Sequence, residues 1–226
     1  MISKQVLVVA AHPDDEVLGC GGTIARHCAD GDAVSVLILA QGVVSRNGAD
    51  QVEQLDQLQA AARQANDILG VQRLELDQFP DNEMDSVTLL SVTKRIEVAL
   101  AALQPDVVYT HHAGDVNIDH RLIHQAVVTA SRPLPGQCVQ QLLFFEVASS
   151  TEWQPPGSAP AFLPNHFVDI SVTLEKKLAA LQAYECEMRE FPHARSIDAV
   201  RHLACWRGAS VGRAAAEAFV LGRHIR

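Results

Sequence analysis

The chain contains no apolar run approaching the ~20 residues that a membrane-spanning helix needs, which excludes stable membrane insertion as the expected state. Its first residues lead straight into a strand pattern and lack the order of a secretory signal, so the expected compartment is cytoplasmic. Basic residues are in deficit, with 18 Lys plus Arg against 27 Asp plus Glu and a formal charge of −9. A nucleic-acid backbone or an anionic membrane rewards basic patches, so neither is expected as the main partner. The five cysteines, Cys20, Cys28, Cys138, Cys186 and Cys205, include no CxxC pair and read as reduced, mostly core thiols. There is no internal repeat or low-complexity segment. One run rich in breakers, residues 155–160, is too short for a linker and reads as a surface excursion or pocket lid. What remains is one domain spanning residues 1–226, long enough to bury roughly 70% of its unfolded surface.

Residues 4–31 organise that domain. Val6 to Ala11 is apolar without alternation, as in a strand buried on both faces of a parallel sheet. It stops at His12-Pro13, because proline lacks the donor that a ladder needs. His12 is therefore expected at the strand's carboxyl end, where open α/β sheets bind ligands. Asp14, Asp15 and Glu16 follow at the mouth of a helix running to Asp30-Gly31. The helix dipole favours acids there but does not explain a histidine beside them. His12 and Asp15, three apart across a strand-to-helix turn, can converge on a divalent metal of the zinc type. Asp14 is then a second carboxylate beside any metal-bound water, the place of a general base.

His12-Pro13-Asp14-Asp15-Glu16, followed by Leu18-Gly19-Cys20-Gly21-Gly22-Thr23, resembles the signature of the LmbE/PIG-L family of zinc-dependent N-deacetylases. The resemblance implies Zn²⁺ held by His12 and Asp15, Asp14 as base, and a small N-acetylated amino-sugar as substrate. It also implies Arg46, at the end of the loop after a second strand (residues 33–40), as a substrate contact; a solvated loop arginine is the alternative. Family members are often multimeric, which leaves a homo-oligomer open.

Helices are expected over residues 51–69, 87–103 and 173–188, with strands over 72–76, 106–110, 139–147 and 166–171, the last as an edge. Residues 212–219 are expected to pack as a terminal helix on the domain or on another subunit. The alternation predicts an α/β fold, a doubly wound, mostly parallel, Rossmann-like sheet flanked by helices with an antiparallel edge. Its rim brings the loops after the first and fourth strands together.

The fourth strand delivers His111, His112, Asp115, Asn117, Asp119, His120 and His124. An open catalytic zinc site needs a third protein ligand. Many family members carry His-Pro-Asp-His here, which maps onto Asn117-Ile118-Asp119-His120, so the resemblance implies His120 as the third ligand and Asp119 as a supporting or relay carboxylate. The histidine thought to stabilise the oxyanion is replaced by Asn117, an amide that can donate a hydrogen bond but cannot supply a proton near neutral pH. His193, in Phe191-Pro192-His193-Ala194-Arg195-Ser196, is a candidate for the role left open, with a surface histidine at a helix end as the alternative. His124, one helical turn beyond His120 on the same face, is expected to pack the helix or support the site, with a zinc-binding histidine pair as the alternative.

A dinucleotide site is excluded by spacing, because Ile24 stands where a third glycine is needed. A metallophosphoesterase and a metal-binding module with a vestigial site remain as rivals. The leading expectation is hydrolysis of an acetamide on an amino-sugar.

Overall fold

The computed structural model describes residues 3–42 and 51–225. Its strands are β1 (Gln5–Ala10), β2 (Ala33–Ala40), β3 (Arg73–Phe79), β4 (Val107–His111), β5 (Gln141–Phe145), β6 (His166–Asp169) and β7 (Ala216–His224), and its helices are α1 (Asp15–Ala29), α2 (Gln51–Leu69), α3 (Leu89–Leu103), α4 (Ile118–Ala130), α5 (Leu174–Ala183) and α6 (Ile197–Ala209). All seven strands form one sheet in the order β3-β2-β1-β4-β5-β7-β6. The first five are parallel, and β7 runs antiparallel to both β5 and β6. The α/β fold is therefore the expected one, a mostly parallel sheet carrying an antiparallel edge.

Alternate residues of β1 feed two cores. Val6, Val8 and Ala10 pack with α1, α2, α5 and α6, whereas Leu7, Val9 and Ala11 pack with α3 and α4. That two-sided burial is why β1 is apolar throughout. No helix among the described residues is long and apolar enough to cross a membrane.

The glycines after the acid cluster serve packing. A Cβ on Gly19 would overlap the Phe145 ring, and one on Gly22 would lie 2.8 Å from Ile170. Helix α1 is kinked at Cys20, whose φ of −149° is not helical. Beyond the kink, Glu217 of β7 accepts the freed Gly22 and Thr23 N–H groups at 3.0 and 2.7 Å, and Lys177 of α5 pairs with it at 2.6 Å.

The carboxyl-terminal part corrects the sequence reading. Residues 216–224 form β7, inserted between β5 and β6, instead of a terminal helix, so β6 is the edge strand but not the last. Alanine-rich 214–218 favours a helix by propensity, but the slot between two strands buries Ala216 to Phe219 and overrides it. Helix α6 was not anticipated.

Candidate metal centre

Strands β1 and β4 are parallel neighbours, so their carboxyl ends open side by side. His12 follows the first and His111 ends the second, while His120 sits in the first turn of α4. Pro13 turns the chain, and Asp14 takes a φ of 109°, a left-handed conformation that costs a non-glycine residue on the order of 1–3 kcal/mol. Its N–H donates to Glu16 Oε2 at 3.1 Å, which helps hold it there.

Three ligand-type atoms converge. His12 Nδ1 lies 3.2 Å from Asp15 Oδ2, His120 Nε2 lies 3.1 Å from the same oxygen, and the two nitrogens are 3.4 Å apart. His12, Asp81 and Asp119 make a second group close enough to hold a cation, with His12 Nε2 at 3.0 Å from Asp119 and 3.4 Å from Asp81. The two groups share His12, and their remaining partners distinguish them. Asp119 already accepts the N–H groups of Asn82 and Met84 at 2.7 and 3.0 Å, so it is anchored as an orienting partner for His12. By contrast, Asp15 accepts one backbone N–H, that of His12 on Oδ2 at 2.9 Å, and its other oxygen, Oδ1, beside the one in the triangle, is buried with no hydrogen-bond partner. A buried carboxylate oxygen left bare fits a cation, and it favours the first group.

The electrostatics agree. Burial works to lower His12, but hydrogen bonds to Asp119 and Asp15 outweigh it and raise the ring to about 10. Burial likewise works to lower His120, but the Asp15 and Asp115 carboxylates outweigh it and raise that ring to about 9. Asp15 falls well below the usual carboxylate range, because the His120 charge and the hydrogen bonds from His12 and His120 defeat its desolvation. A field that holds protons on two buried imidazoles also attracts a divalent cation, which would displace them.

Behind this triangle His120 Nδ1 lies 3.2 Å from Asp115 Oδ1. Asp115 accepts the Thr151 hydroxyl at 2.7 Å, the Ser150 hydroxyl and the Asn117 N–H at 2.9 Å. Burial would raise it, but these bonds and the His120 charge bring it down to about 2. His111 stacks on His120 with ring centres 3.9 Å apart and accepts the Ala11 N–H at 2.8 Å. Its neighbour His112 turns away to the Pro160 carbonyl, 2.9 Å distant.

Asp14, only 1% exposed, faces a different partner. Arg195 Nη1 donates to its Oδ2 at 2.8 Å, and Arg195 Nε donates to the Ser149 hydroxyl at 2.6 Å. Burial pushes the Asp14 carboxyl well up, with the Arg195 guanidinium pulling the other way. Glu16 lies underneath, accepting Tyr184 Oη at 2.6 Å and Asn66 Nδ2 at 2.9 Å.

The structure thus brings together His12, Asp14, Asp15, Asp119 and His120 from the expected set. Asn117 caps α4, its Oδ1 accepting the Asp119 N–H at 2.8 Å and its Nδ2 donating to Asn82 at 2.8 Å. His193 sits two residues from Arg195, whose N–H its Nδ1 accepts at 3.0 Å, and it touches no member of the triangle. His124 donates to the His111 carbonyl at 3.0 Å and packs on Phe144, as a helix-packing residue does. Arg46 lies outside the described residues. Asp115, Arg195 and the 82–84 backbone were not singled out from the sequence. Asp115 stood within the dense cluster after β4, and Arg195 stood within the 191–196 segment, which was marked for His193 instead.

The chain is similar to known proteins in sequence and in fold. The model of the PIG-L family, described as GlcNAc-PI de-N-acetylase, matches residues 7–131, over half of the chain. The diacetylchitobiose deacetylase of Thermococcus kodakarensis is 29% identical over 203 residues, covering 83% of this chain and 71% of its own. The 4-oxalmesaconate hydratase of Pseudomonas putida is 28% identical over 200 residues, covering 79% and 72%. The crystal structure of the conserved protein TT1542 from Thermus thermophilus superposes with a TM-score of 0.78 at 28% identity, covering 99% of this chain and 96% of that one. Because the matched segment spans both loops that build the site, the chain belongs to the GlcNAc-PI de-N-acetylase (PIG-L) family.

Proposed function

We propose that this protein is a zinc-dependent hydrolase that removes an N-acetyl group from a small molecule containing an amino-sugar. The observation that carries the reading is the triangle of His12 Nδ1, Asp15 Oδ2 and His120 Nε2, with sides of 3.1–3.4 Å. Tetrahedral bonds of ~2.0–2.1 Å to nitrogen and oxygen place ligand atoms about 3.3 Å apart, and three protein ligands are the number found in catalytic zinc sites. A Zn²⁺ ion held there supplies Lewis-acid polarisation of the acetamide carbonyl and makes a water more acidic.

The chain's own residues supply the rest. Asp119 accepts from His12 Nε2, which leaves the Nδ1 lone pair facing Asp15 and His120. Asp115 Oδ1 stands 3.2 Å from His120 Nδ1, a charge contact on the far side of that ring. Asp14 takes the proton of the attacking water and returns it to the leaving amine, and Arg195 fixes the direction of its carboxylate. Asn117 spends both ends of its amide on the α4 cap and on Asn82. One hydrogen of the Asn117 amide remains beyond the Asn82 bond, so the oxyanion donor is either that N–H or His193 Nε2, the His193 ring accepting at Nδ1. Arg46 is the substrate contact that the family resemblance implies.

The test is acetate release from a panel of N-acetylated amino-sugars with zinc-loaded and chelator-treated protein. No acetate from any of them, with one zinc bound per chain, overturns the reading. A second reading is favoured by the hydratase relative, 28% identical: a hydratase would add water without releasing acetate. Turnover of 4-oxalmesaconate, measured beside the acetate assay, separates the two. A phosphoesterase with two metals requires the Asp81 and Asp119 group to bind its own cation, so one metal per chain disfavours it.

A further inference from the structure

At the rim opposite the metal centre, the amino ends of the parallel strands border a cavity of about 460 Å³, within the ~300–1,000 Å³ usual for small-molecule sites. Its lining includes Lys4 before β1, Thr23 and Arg26 of α1, Gln141 at the start of β5, His166 at the start of β6 and His224 at the end of β7. The six residues of β1 stand between this cavity and His12, which at ~3.3 Å per residue is on the order of 20 Å.

Thr23 is the informative residue. It is 1% exposed, and its Oγ1 has no hydrogen-bond partner among the described residues, although its backbone N–H is satisfied by Glu217. A buried hydroxyl is ordinarily paired, because leaving it bare forfeits its hydration without return. The cavity that Thr23 lines is where a partner can stand.

The charges around that hydroxyl favour an anion. Lys4 and Arg26 place two fixed positive charges on the lining of a chain whose formal charge is −9. Arg26 Nη1 donates to the Asp169 carbonyl at 2.5 Å, which sets the guanidinium beside β6. Asp30 also lines the cavity and lies 3.8 Å from Arg26 Nε. Asp32 is spent elsewhere, with one oxygen on His27 Nδ1 at 2.7 Å and the other accepting the Lys4 N–H at 2.8 Å. His27 Nε2 in turn meets Tyr109 Oη at 3.0 Å, so that ring is fixed at both nitrogens. His166 and His224 complete the wall, close enough that a charge on His224 opposes a proton on His166.

We propose that this cavity binds a phosphate dianion, either free or carried by a small metabolite. Its donors stand on the amino-terminal segment, on α1 and on the β6–β7 edge, so they approach from separate sides. A carboxylate presents two oxygens in one plane, whereas a phosphate group presents three strong acceptors that spread toward all of them. Arginine and lysine are both suited to it, the first through its planar fork and the second as a point charge. The site needs no metal and is distinct from the chemistry at the other rim.

The test is calorimetric. Zinc-loaded protein is titrated with inorganic phosphate, glycerol 3-phosphate and succinate, and the series is repeated on His120→Ala, in which the metal centre is dismantled. One equivalent of a phosphate compound that persists in His120→Ala is expected, with succinate at least about tenfold weaker. Lys4→Met and Arg26→Met should each weaken it roughly tenfold or more, and Thr23→Val by several-fold. Arg26 also holds a backbone carbonyl, so Lys4→Met and Thr23→Val carry the test if Arg26→Met melts early. Tighter binding of the ester assigns the site to a phosphorylated metabolite, and tighter binding of the free ion assigns it to inorganic phosphate. The proposal is overturned by absence of saturable heat through the millimolar range, by succinate binding as tightly as phosphate, or by unchanged affinity in Lys4→Met and Thr23→Val. Binding lost in His120→Ala but kept in those variants puts the anion on the metal and overturns it as well.

Discussion

Arg195 and Asp14 are 181 residues apart in the chain, and their side chains meet at 2.8 Å over the mouth of the site. The arginine forks, holding Asp14 with one nitrogen and Ser149 with another. A lysine could make one of these contacts but not both.

Asp14→Asn should retain zinc and fold, and it should lower kcat by about 10²–10⁴-fold, the usual worth of a positioned base. Metal analysis beside the acetate assay checks it. Full activity in this variant would remove Asp14 from the mechanism. In a cycle with Arg195→Met, urea midpoints should give a coupling of roughly 0.5–3 kcal/mol, as expected for groups in direct contact.

The anchoring of Asp119 by Asn82 and Met84 predicts a graded effect on metal binding. His120→Ala should lose zinc outright. Asp119→Asn should bind it about 10- to 100-fold more weakly, because His12 loses the partner that fixes its orientation. Competition with a chromophoric chelator measures both, and unchanged affinity in Asp119→Asn would show that His12 orients itself.

Three histidines away from the ligand triangle give the pH dependence of stability. Burial lowers His27, His124 and His166, against hydrogen bonds or charges that work to raise the first two and with His224 adding to the lowering of the third. Their folded pKa values lie below the unfolded value of 6.5. Above that value neither state is protonated, and the contribution is complete. As pH falls below it the unfolded chain takes up protons first, so stability is lost at up to about 1.4 kcal/mol per pH unit per proton. Because buried Glu16, raised to about 7, acts with the opposite sign, the check is a difference: in urea unfolding between pH 7.5 and 5, His124→Gln should lose less stability on acidification than the parent.

Gly19→Ala adds a good helix former to a helix, yet it should destabilise. Propensity favours the change by about 1 kcal/mol, but the new Cβ would overlap the Phe145 ring. Overpacking of that kind costs typically 1–3 kcal/mol. A melting temperature lower than that of the parent is the expected result.

Much of the fold was legible because apolar periodicity is a local signal. Val6 to Ala11 reads as a central strand in any context, and β2 was placed to the residue. Residues 216–224 misled because their partners, β5 and β6, are distant, and pairing rather than propensity makes them a strand. The same contrast holds in the site. His12, Asp14 and Asp15 stand together in the chain, so their convergence follows from one turn. Asp119 was expected as a supporting carboxylate, and it lies on His12 across the sheet rather than on the adjacent His120, which Asp115 serves instead. That assignment depends on the side-by-side opening of β1 and β4, which no local pattern encodes. Arg195 lies in the 191–196 segment, which the sequence marked for His193, and its reach to Asp14 emerges only in the fold.

The insertion of β7 between two earlier strands has a consequence for biosynthesis. Glu217 steadies the broken half of the helix that begins at the acid cluster, so α1 must wait through synthesis for a strand nearly two hundred residues later. Until that strand arrives, β5 and β6 both carry open edges. A nascent chain stalled before residue 216 would expose them to chaperones and to its neighbours on the polysome.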